Sequence, residues 1–356
     1  MPNSLYEKIF DIENLYRASK AAMKGKKTKA YVAKFWLNED TEIEKIHNEL
    51  KSESYRFGNY KEFIVNDNGV TRKISAAPFR DRVVHHAITQ IIEAMFEKSF
   101  IYDSYANRKG KGTLKALQRA QLFAHRFEYV LQLDIRKYFP SIEHKILLKA
   151  LEKKIPCTKT MNLLKQLIEN SNIQEDAFFY FSEDTLFTPY ENRKGLPLGN
   201  QTSQFFGNIY LNSFDHYVKE VLQVKAYIRY VDDMMFFSNS KESLAETMQL
   251  AKNYLDTFRL KIHPLKIKLL PTIGSFIFLG HKVYKTHFRV TSKGIRRARR
   301  KLRKVHFDVK HNRLEHAMAK NRIFGTIGYL KMGNNFRVCE ELLSQTVLLQ
   351  NHLRRQ

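Results

Sequence analysis

Apolar residues between 81 and 100 fall at 84, 87, 88, 91, 92, 95 and 96, a spacing that predicts a helix with one buried face. Residues 129–135 alternate instead. Tyr129, Leu131, Leu133 and Ile135 point one way and Val130, Gln132 and Asp134 the other, as in a strand laid over a core, which turns Asp134 away from the main apolar layer. Two further strand-favouring runs, 226–229 and 234–237, flank Tyr230-Val231-Asp232-Asp233 and predict a hairpin with two adjacent acids at its tip. Residues 206–222 and 243–258 read as amphipathic helices, the second opened by a capping pattern from Ser243 to Glu246.

Upstream, residues 1–60 read as a charged, helical, peripheral extension, with Tyr31, Val32, Phe35 and Trp36 as its anchor and Ile43, Ile46 and Leu50 continuing the apolar face. Residues 60–78 read as a hairpin turning at Asn66, Asp67, Asn68 and Gly69, able to present Arg72 and Lys73 to a phosphate. Strands and helices mix without regular alternation. That predicts an α+β fold, helices against a small antiparallel sheet.

Composition sharpens this picture. The 356 residues carry a formal net charge of +25 with 43% hydrophobic content, enough to bury a core while presenting a surface that attracts polyanions. No apolar run nears the ~20 residues that span a bilayer, and the N-terminus lacks a signal-peptide pattern; the expectation is a cytoplasmic protein with no membrane partner. Cys157 and Cys339 stand alone and read as free thiols. His85 and His86 point about 100° apart on a helix, so they read as ordinary residues rather than metal ligands.

The adjacent Asp232 and Asp233 are costly, because like charges repel and burial strips their water; folded proteins keep such pairs where a cation neutralises them. Asp134 could join them from a neighbouring strand. The loop at 107–113, with Arg108, Lys109 and Lys111 between glycines, is a candidate phosphate cradle. In the stretch after residue 288, Ile295, Ala298, Leu302 and Val305 form an apolar stripe, while Arg296, Arg297, Arg299, Arg300, Arg303 and Lys304 fill much of the remaining surface. A block of cations without an acid is better explained by phosphates than by a merely solvated face.

In chain order, PFRDRVV (78–84), DSYANRKGKG (103–112), DIRKYFPSI (134–142), GLPLGNQTSQ (195–204), YVDD (230–233), HPLK (263–266) and FLG (278–280) resemble the successive motifs of reverse transcriptases. The resemblance implies a right-hand polymerase fold: an extension at 1–60, fingers at 61–125, a palm at 126–285 with an insertion at about 150–195, and a basic helical thumb at 286–356. It implies RNA-directed DNA synthesis with two Mg²⁺ ions, or Mn²⁺, held by Asp134, Asp232, Asp233 and the Ile135 carbonyl. Lys73, Arg80, Phe139, Leu198 and Gly199 would meet the incoming dNTP, Lys266 would give a proton to pyrophosphate, and Gly280 would lie in the primer grip.

Leu198 stands where many reverse transcriptases have Gln, and Gln204 where proline is usual. Both departures resemble diversity-generating retroelement reverse transcriptases, within the group II intron-like superfamily. That subtype implies error-prone copying at template adenines and mutagenic retrohoming. Its partners would be template RNA, a primer or cDNA, and a small basic accessory protein oligomer, since the short remainder after the thumb leaves targeting to another protein. A retron or abortive-infection defence enzyme is the alternative within the enzymes. An inactive nucleic-acid-binding scaffold is the alternative outside them, disfavoured by the three aspartates.

Overall fold

The structure, a computed structural model, describes residues 4–67, 70–170, 179–342 and 344. Asn68 and Gly69 of the expected turn, residues 171–178 of the expected insertion and the last residues of the expected thumb lie outside that set. Among the described residues, nine strands form three antiparallel sheets. The first is a ribbon of β1 (Lys61–Asp67) and β2 (Val70–Ala76); the second is four-stranded, in the order β4 (Tyr227–Tyr230), β5 (Asp233–Ser238), β3 (Tyr129–Asp134), β6 (Lys268–Pro271); the third runs β7 (Phe276–Phe278), β8 (His281–Val283), β9 (Phe288–Val290).

The predicted helix runs Phe79–Glu97 and forms the axis of the largest apolar cluster, where Val83, Val84, Ala87, Ile88, Ile92 and Phe96 are all buried. The N-terminal helices Leu5–Phe10, Ile12–Met23, Ala30–Leu37 and Glu39–Lys51 place Ile9, Leu15, Ala18, Val32, Ile43 and Ile46 in that same cluster. Small Ala18 and Ala22 permit close approach, and Asn14 donates across the contact to the Ala87 carbonyl at 3.2 Å. Residues 5–50 therefore contribute to the main core rather than lying peripheral to it. Of the expected anchor only Val32 and Phe35 are buried; Tyr31 and Trp36 remain about half exposed at 49% and 51%, with Lys27 over the indole at 5.3 Å.

The central sheet is covered on both faces, which refines the expected alternation. Leu131, Leu133, Met234 and Phe236 face the main cluster. Val130, Met235, Phe237 and Ile228 face a second cluster built with Ala116, Ala120, Phe276 and Phe288. A third cluster joins helix Ser292–Lys310 to helix His316–Lys331 through Ala298, Leu302, Ile327 and Leu330. Two helix boundaries differ from expectation. Ser240, not Ser243, caps helix Lys241–Thr257, its hydroxyl accepting from the Ser243 amide at 3.0 Å. The run 206–222 is divided among Gln201–Tyr210, Asn212–His216 and a π-helical turn Tyr217–Val221.

Candidate active site

Strand register brings the acids together. In the pairing of β3 with β5, Asp134 stands opposite Asp233, and directly opposed residues in an antiparallel pair project from the same face. Tyr230 pairs with Asp233 in the β4–β5 hairpin, so Val231 and Asp232 alone make the turn. Val231 takes φ 58 there, a left-handed conformation that a β-branched residue adopts only under constraint.

The constraint is a buried charge network. Arg229 and Asp215 are both fully buried, and the guanidinium binds the carboxylate through Nη2 at 2.7 Å and Nε at 2.8 and 3.0 Å. Its Nη1 donates to Asn208 Oδ1 at 3.1 Å and to the Val231 carbonyl at 3.0 Å, holding the strained turn from below. Tyr227 donates to Asp215 at 2.9 Å, and Asn208 donates to the Ala106 carbonyl at 2.8 Å. Sequence reasoning missed Arg229, Asp215 and Asn208. An arginine inside an otherwise apolar strand beside two aspartates was the available signal, since a buried cation requires a buried partner.

Beyond β3 the backbone is pinned by Ile262, which bridges Ile135, and by the His263 amide, which donates to the Asp134 carbonyl at 2.8 Å. The 3-10 turn Pro264–Lys266 then carries Lys266 over the acids. Its ammonium donates to both Asp134 oxygens at 2.8 Å. Burial, then the Asp134 charge, raises the Asp232 carboxyl to about 6. Burial, then Asp232 and Asp134, raises Asp233 to about 7. Among the described residues no group of three or more acidic, His or Cys side chains is arranged to hold a metal ion, and the Asp134 carboxylate is bonded to Lys266. Three neighbouring carboxylates with Lys266 among them leave an excess of negative charge, and that charge adds to burial in raising Asp232 and Asp233; the all-oxygen donors are of the kind a hard divalent cation takes.

The segment 195–199 is held between the residues that follow β3 and the end of β2. Gly195 and Leu196 donate to the carbonyls of Ile142 and Phe139 at 2.8 and 3.0 Å, and the Ser75 amide donates to the Leu198 carbonyl at 3.2 Å. Leu198 and Phe139 are half-buried, and Ile135 is buried. Gly199 takes φ 104, and a Cβ there would stand 2.9 Å from the Ile74 side chain. A second positive-φ glycine, Gly280, lies beyond β7 against the Tyr329 hydroxyl, 3.2 Å from where its Cβ would be.

Several expected cations are engaged elsewhere. Lys73 pairs with Glu62 across the β1–β2 ribbon at 2.7 Å; it is Arg72, the neighbouring residue, whose charge reaches Asp232 and lowers its pKa. Arg80 pairs with Glu49 at 2.7 Å and lies over the Tyr55 ring. The Arg108 side chain is buried to 6% exposure and gives its donors to Glu97 and to the carbonyls of Ile101 and Ser104. Lys111 donates to the Tyr102 carbonyl at 2.7 Å and sits 3.4 Å over the Tyr102 ring. These contacts correct the phosphate-cradle expectation for Arg108 and Lys111 and leave Lys109 exposed in that loop. On helix Ser292–Lys310, Arg296, Arg300, Arg303 and Lys304 are exposed; Arg297 is half-buried, and Arg299 pairs with Glu341 at 2.8 Å.

Known proteins resemble this chain in sequence and in fold. Protein YkfC of Escherichia coli K12 is 25% identical over 287 residues, 70% of this chain and 72% of that protein. The uncharacterized 91 kDa protein in the cob intron of Schizosaccharomyces pombe is 24% identical over 50% of this chain and 21% of its own length. The retron Ec83 reverse transcriptase of E. coli is 30% identical over 47% of this chain and 50% of its own. In three dimensions, apo telomerase from Candida tropicalis matches with TM-score 0.53 at 11% identity, over 83% of this chain and 59% of that one. Its form lacking the C-terminal domain gives TM-score 0.50 at 13% identity, over 68% of this chain and 59% of that one. The α+β architecture is thus that of right-hand polymerases. Over residues 64–283 the chain matches the family described as Reverse transcriptase (RNA-dependent DNA polymerase), and to that family it belongs.

Proposed function

We propose that the chain is an RNA-directed DNA polymerase, with fingers at 61–125, palm at 126–285 and thumb at 286–356. The observation that carries this reading is the register of Asp134 against Asp233 at the foot of a two-residue turn holding Asp232. Asp134, Asp232, Asp233 and the Ile135 carbonyl would hold two Mg²⁺ ions, with Mn²⁺ able to replace them. When bound, the ions supply the Lewis acidity that readies a primer 3′-oxygen and offsets charge on the triphosphate. Lys266, which donates to both Asp134 oxygens, would be the proton donor to the departing pyrophosphate. Lys266→Ala is expected to lower the single-turnover extension rate by about 10²-fold or more while leaving primer-template affinity nearly unchanged; equal rates for variant and wild type would remove Lys266 from the chemistry.

Phe139, packed against Gly207 and Tyr138, is suited to exclude a 2′-hydroxyl and so to select dNTPs. Arg72 is better placed than Lys73 or Arg80 to meet the triphosphate, as its charge acts on Asp232. The exposed cations of helix Ser292–Lys310 would track the primer-template backbone.

The diversity-generating subtype is supported by Leu198 and Gln204 in the GLPLGNQTSQ string. Leu198 offers no hydrogen bond to an incoming nucleotide, and one such bond is worth roughly 0.5 to 1.5 kcal/mol, up to about tenfold in discrimination. Leu198→Gln is therefore expected to lower misincorporation opposite adenine by up to about tenfold, read by sequencing the cDNA. An unchanged error spectrum would contradict it. Similarity to the retron enzyme over 176 residues favours a second reading, a retron-type reverse transcriptase, for which wild-type errors would not concentrate at adenines. In the first reading a small basic accessory protein oligomer supplies targeting.

A further inference from the structure

Helix Lys241–Thr257 ends in a left-handed residue, a place where glycine is usual because it carries no Cβ, yet here that residue is Arg259, at φ 56. Its amide donates to the Asp256 carbonyl at 2.9 Å, and the Leu260 amide donates to the Leu255 carbonyl at 3.1 Å. A non-glycine residue kept in this conformation points to a use for its side chain. The Arg259 guanidinium donates through Nη1 and Nη2 to the two Asp184 oxygens at 2.7 and 2.8 Å, and its Nε lies 2.8 Å from Glu143 Oε2. The Asp184 and Glu143 side chains are only 3% and 8% exposed, and buried acids are kept where a cation meets them. The Phe181 ring lies under the same guanidinium at 4.7 Å and under the Lys261 ammonium at 4.0 Å, and the Phe181 amide donates to Asp184 at 3.0 Å.

Glu143 is where this cluster joins the segment 193–196. Glu143 bridges Lys194, the His144 amide donates to the Arg193 carbonyl at 3.0 Å, and His144 Nε2 lies 2.8 Å from the Gly195 carbonyl. The Glu143 backbone is held from the same helix end: the Tyr210 hydroxyl accepts from the Glu143 amide at 3.3 Å and donates to the Phe258 carbonyl at 2.7 Å. Two residues past Arg259, the Lys261 carbonyl accepts from the Arg136 amide at 2.8 Å. We propose that Arg259 is a positioning residue for nucleotide binding: by clamping Asp184 and Glu143 to the end of helix Lys241–Thr257 it fixes residues 139–144, and through them the turn at 195–198. This rests on the polymerase reading, in which Phe139 and Leu198 meet the incoming dNTP. Arg259 acts through Glu143 and not by touching the nucleotide.

The test uses the full chain and the variants Arg259→Lys, Asp184→Asn and their combination. Lysine keeps a cation between the two acids, which spares folding, but cannot bond both as a planar fork; Asp184→Asn loosens the clamp from its other end, and a thermal melt checks that each variant is folded. Each single variant is expected to raise the dNTP KM for primer extension by about tenfold, with kcat at saturating dNTP and the Kd for primer-template little changed. The combination should be no worse than the poorer single variant, because both break one contact. In the free chain, amide hydrogen exchange should speed up at 139–144 and 193–198 and stay as in wild type across β3 and β5. A lowered kcat at unchanged KM, the mark of a merely structural loss, overturns the proposal, as do KM effects that multiply in the combination or exchange that is unchanged in both segments. A folded wild type that extends no primer would sink the polymerase reading instead, and exchange alone would then decide whether Arg259 holds the two segments.

Discussion

Replacing Asp232 or Asp233 by asparagine is expected to abolish primer extension, by on the order of a thousandfold, while making the metal-free protein more heat-stable at pH 8. The sign follows from the raised carboxyls. Asp232 and Asp233 titrate near 6 and near 7 in the fold, above the ordinary carboxylate value, so between about pH 4 and pH 7 the native state binds more protons than the unfolded one. Their contribution to stability is present at low pH and is lost as pH rises through 6 to 7. The metal-free protein should therefore melt lower at pH 8 than at pH 5, by on the order of a few degrees, and Mg²⁺ should restore the loss at pH 8 and do little at pH 5. Either asparagine variant should flatten that dependence. A melting temperature that rises from pH 5 to pH 8 without metal would contradict the electrostatic account of the acids.

Arg229→Met is expected to cost about 3 to 5 kcal/mol, because it strands the fully buried Asp215 carboxylate without its partner. A second change, Asp215→Asn, removes the stranded charge and should return most of that stability, measured by denaturant unfolding. Extension should not return with it. The double variant still lacks the donor to the Val231 carbonyl, and a left-handed Val231 held by strand geometry alone costs about 1 to 3 kcal/mol, so the turn that aims Asp232 relaxes. Full activity in the stable double variant would show that Arg229 serves folding only.

The acids were legible because their signals are local. Alternation through residues 129–135 placed Asp134 on the face away from the main cluster, and it lies there beside Val130 and Gln132; the hairpin followed from strand formers on either side of the Asp pair, though only Asp232 of the two lies in the turn and Asp233 opens β5. What escaped was set by distant partners. Lys73 and Arg72 differ by one residue on a strand whose side chains alternate faces, so the choice between them depends on a register that the ribbon's own sequence does not state. Arg108 looked available for phosphate until the chain returned Glu97 to it across eleven residues. Trp36 carries the composition of an anchor, yet the main core was filled by the small and branched residues Leu15, Ala18, Ile43 and Ile46 instead. Arg229 stood out as a charge inside an apolar strand, but its role lies in Asp215 and Asn208, fourteen and twenty-one residues away.

The most direct test of the central claim is extension of a DNA primer on an RNA template by the purified chain, with Mg²⁺ and with the metal chelated. The expected result is dNTP-dependent lengthening that chelation stops and that Asp233→Asn cannot perform despite binding the same duplex. A folded wild-type chain that binds primer-template with Mg²⁺ and dNTPs but never lengthens the primer, or an Asp233→Asn chain that lengthens it at the wild-type rate, would contradict it.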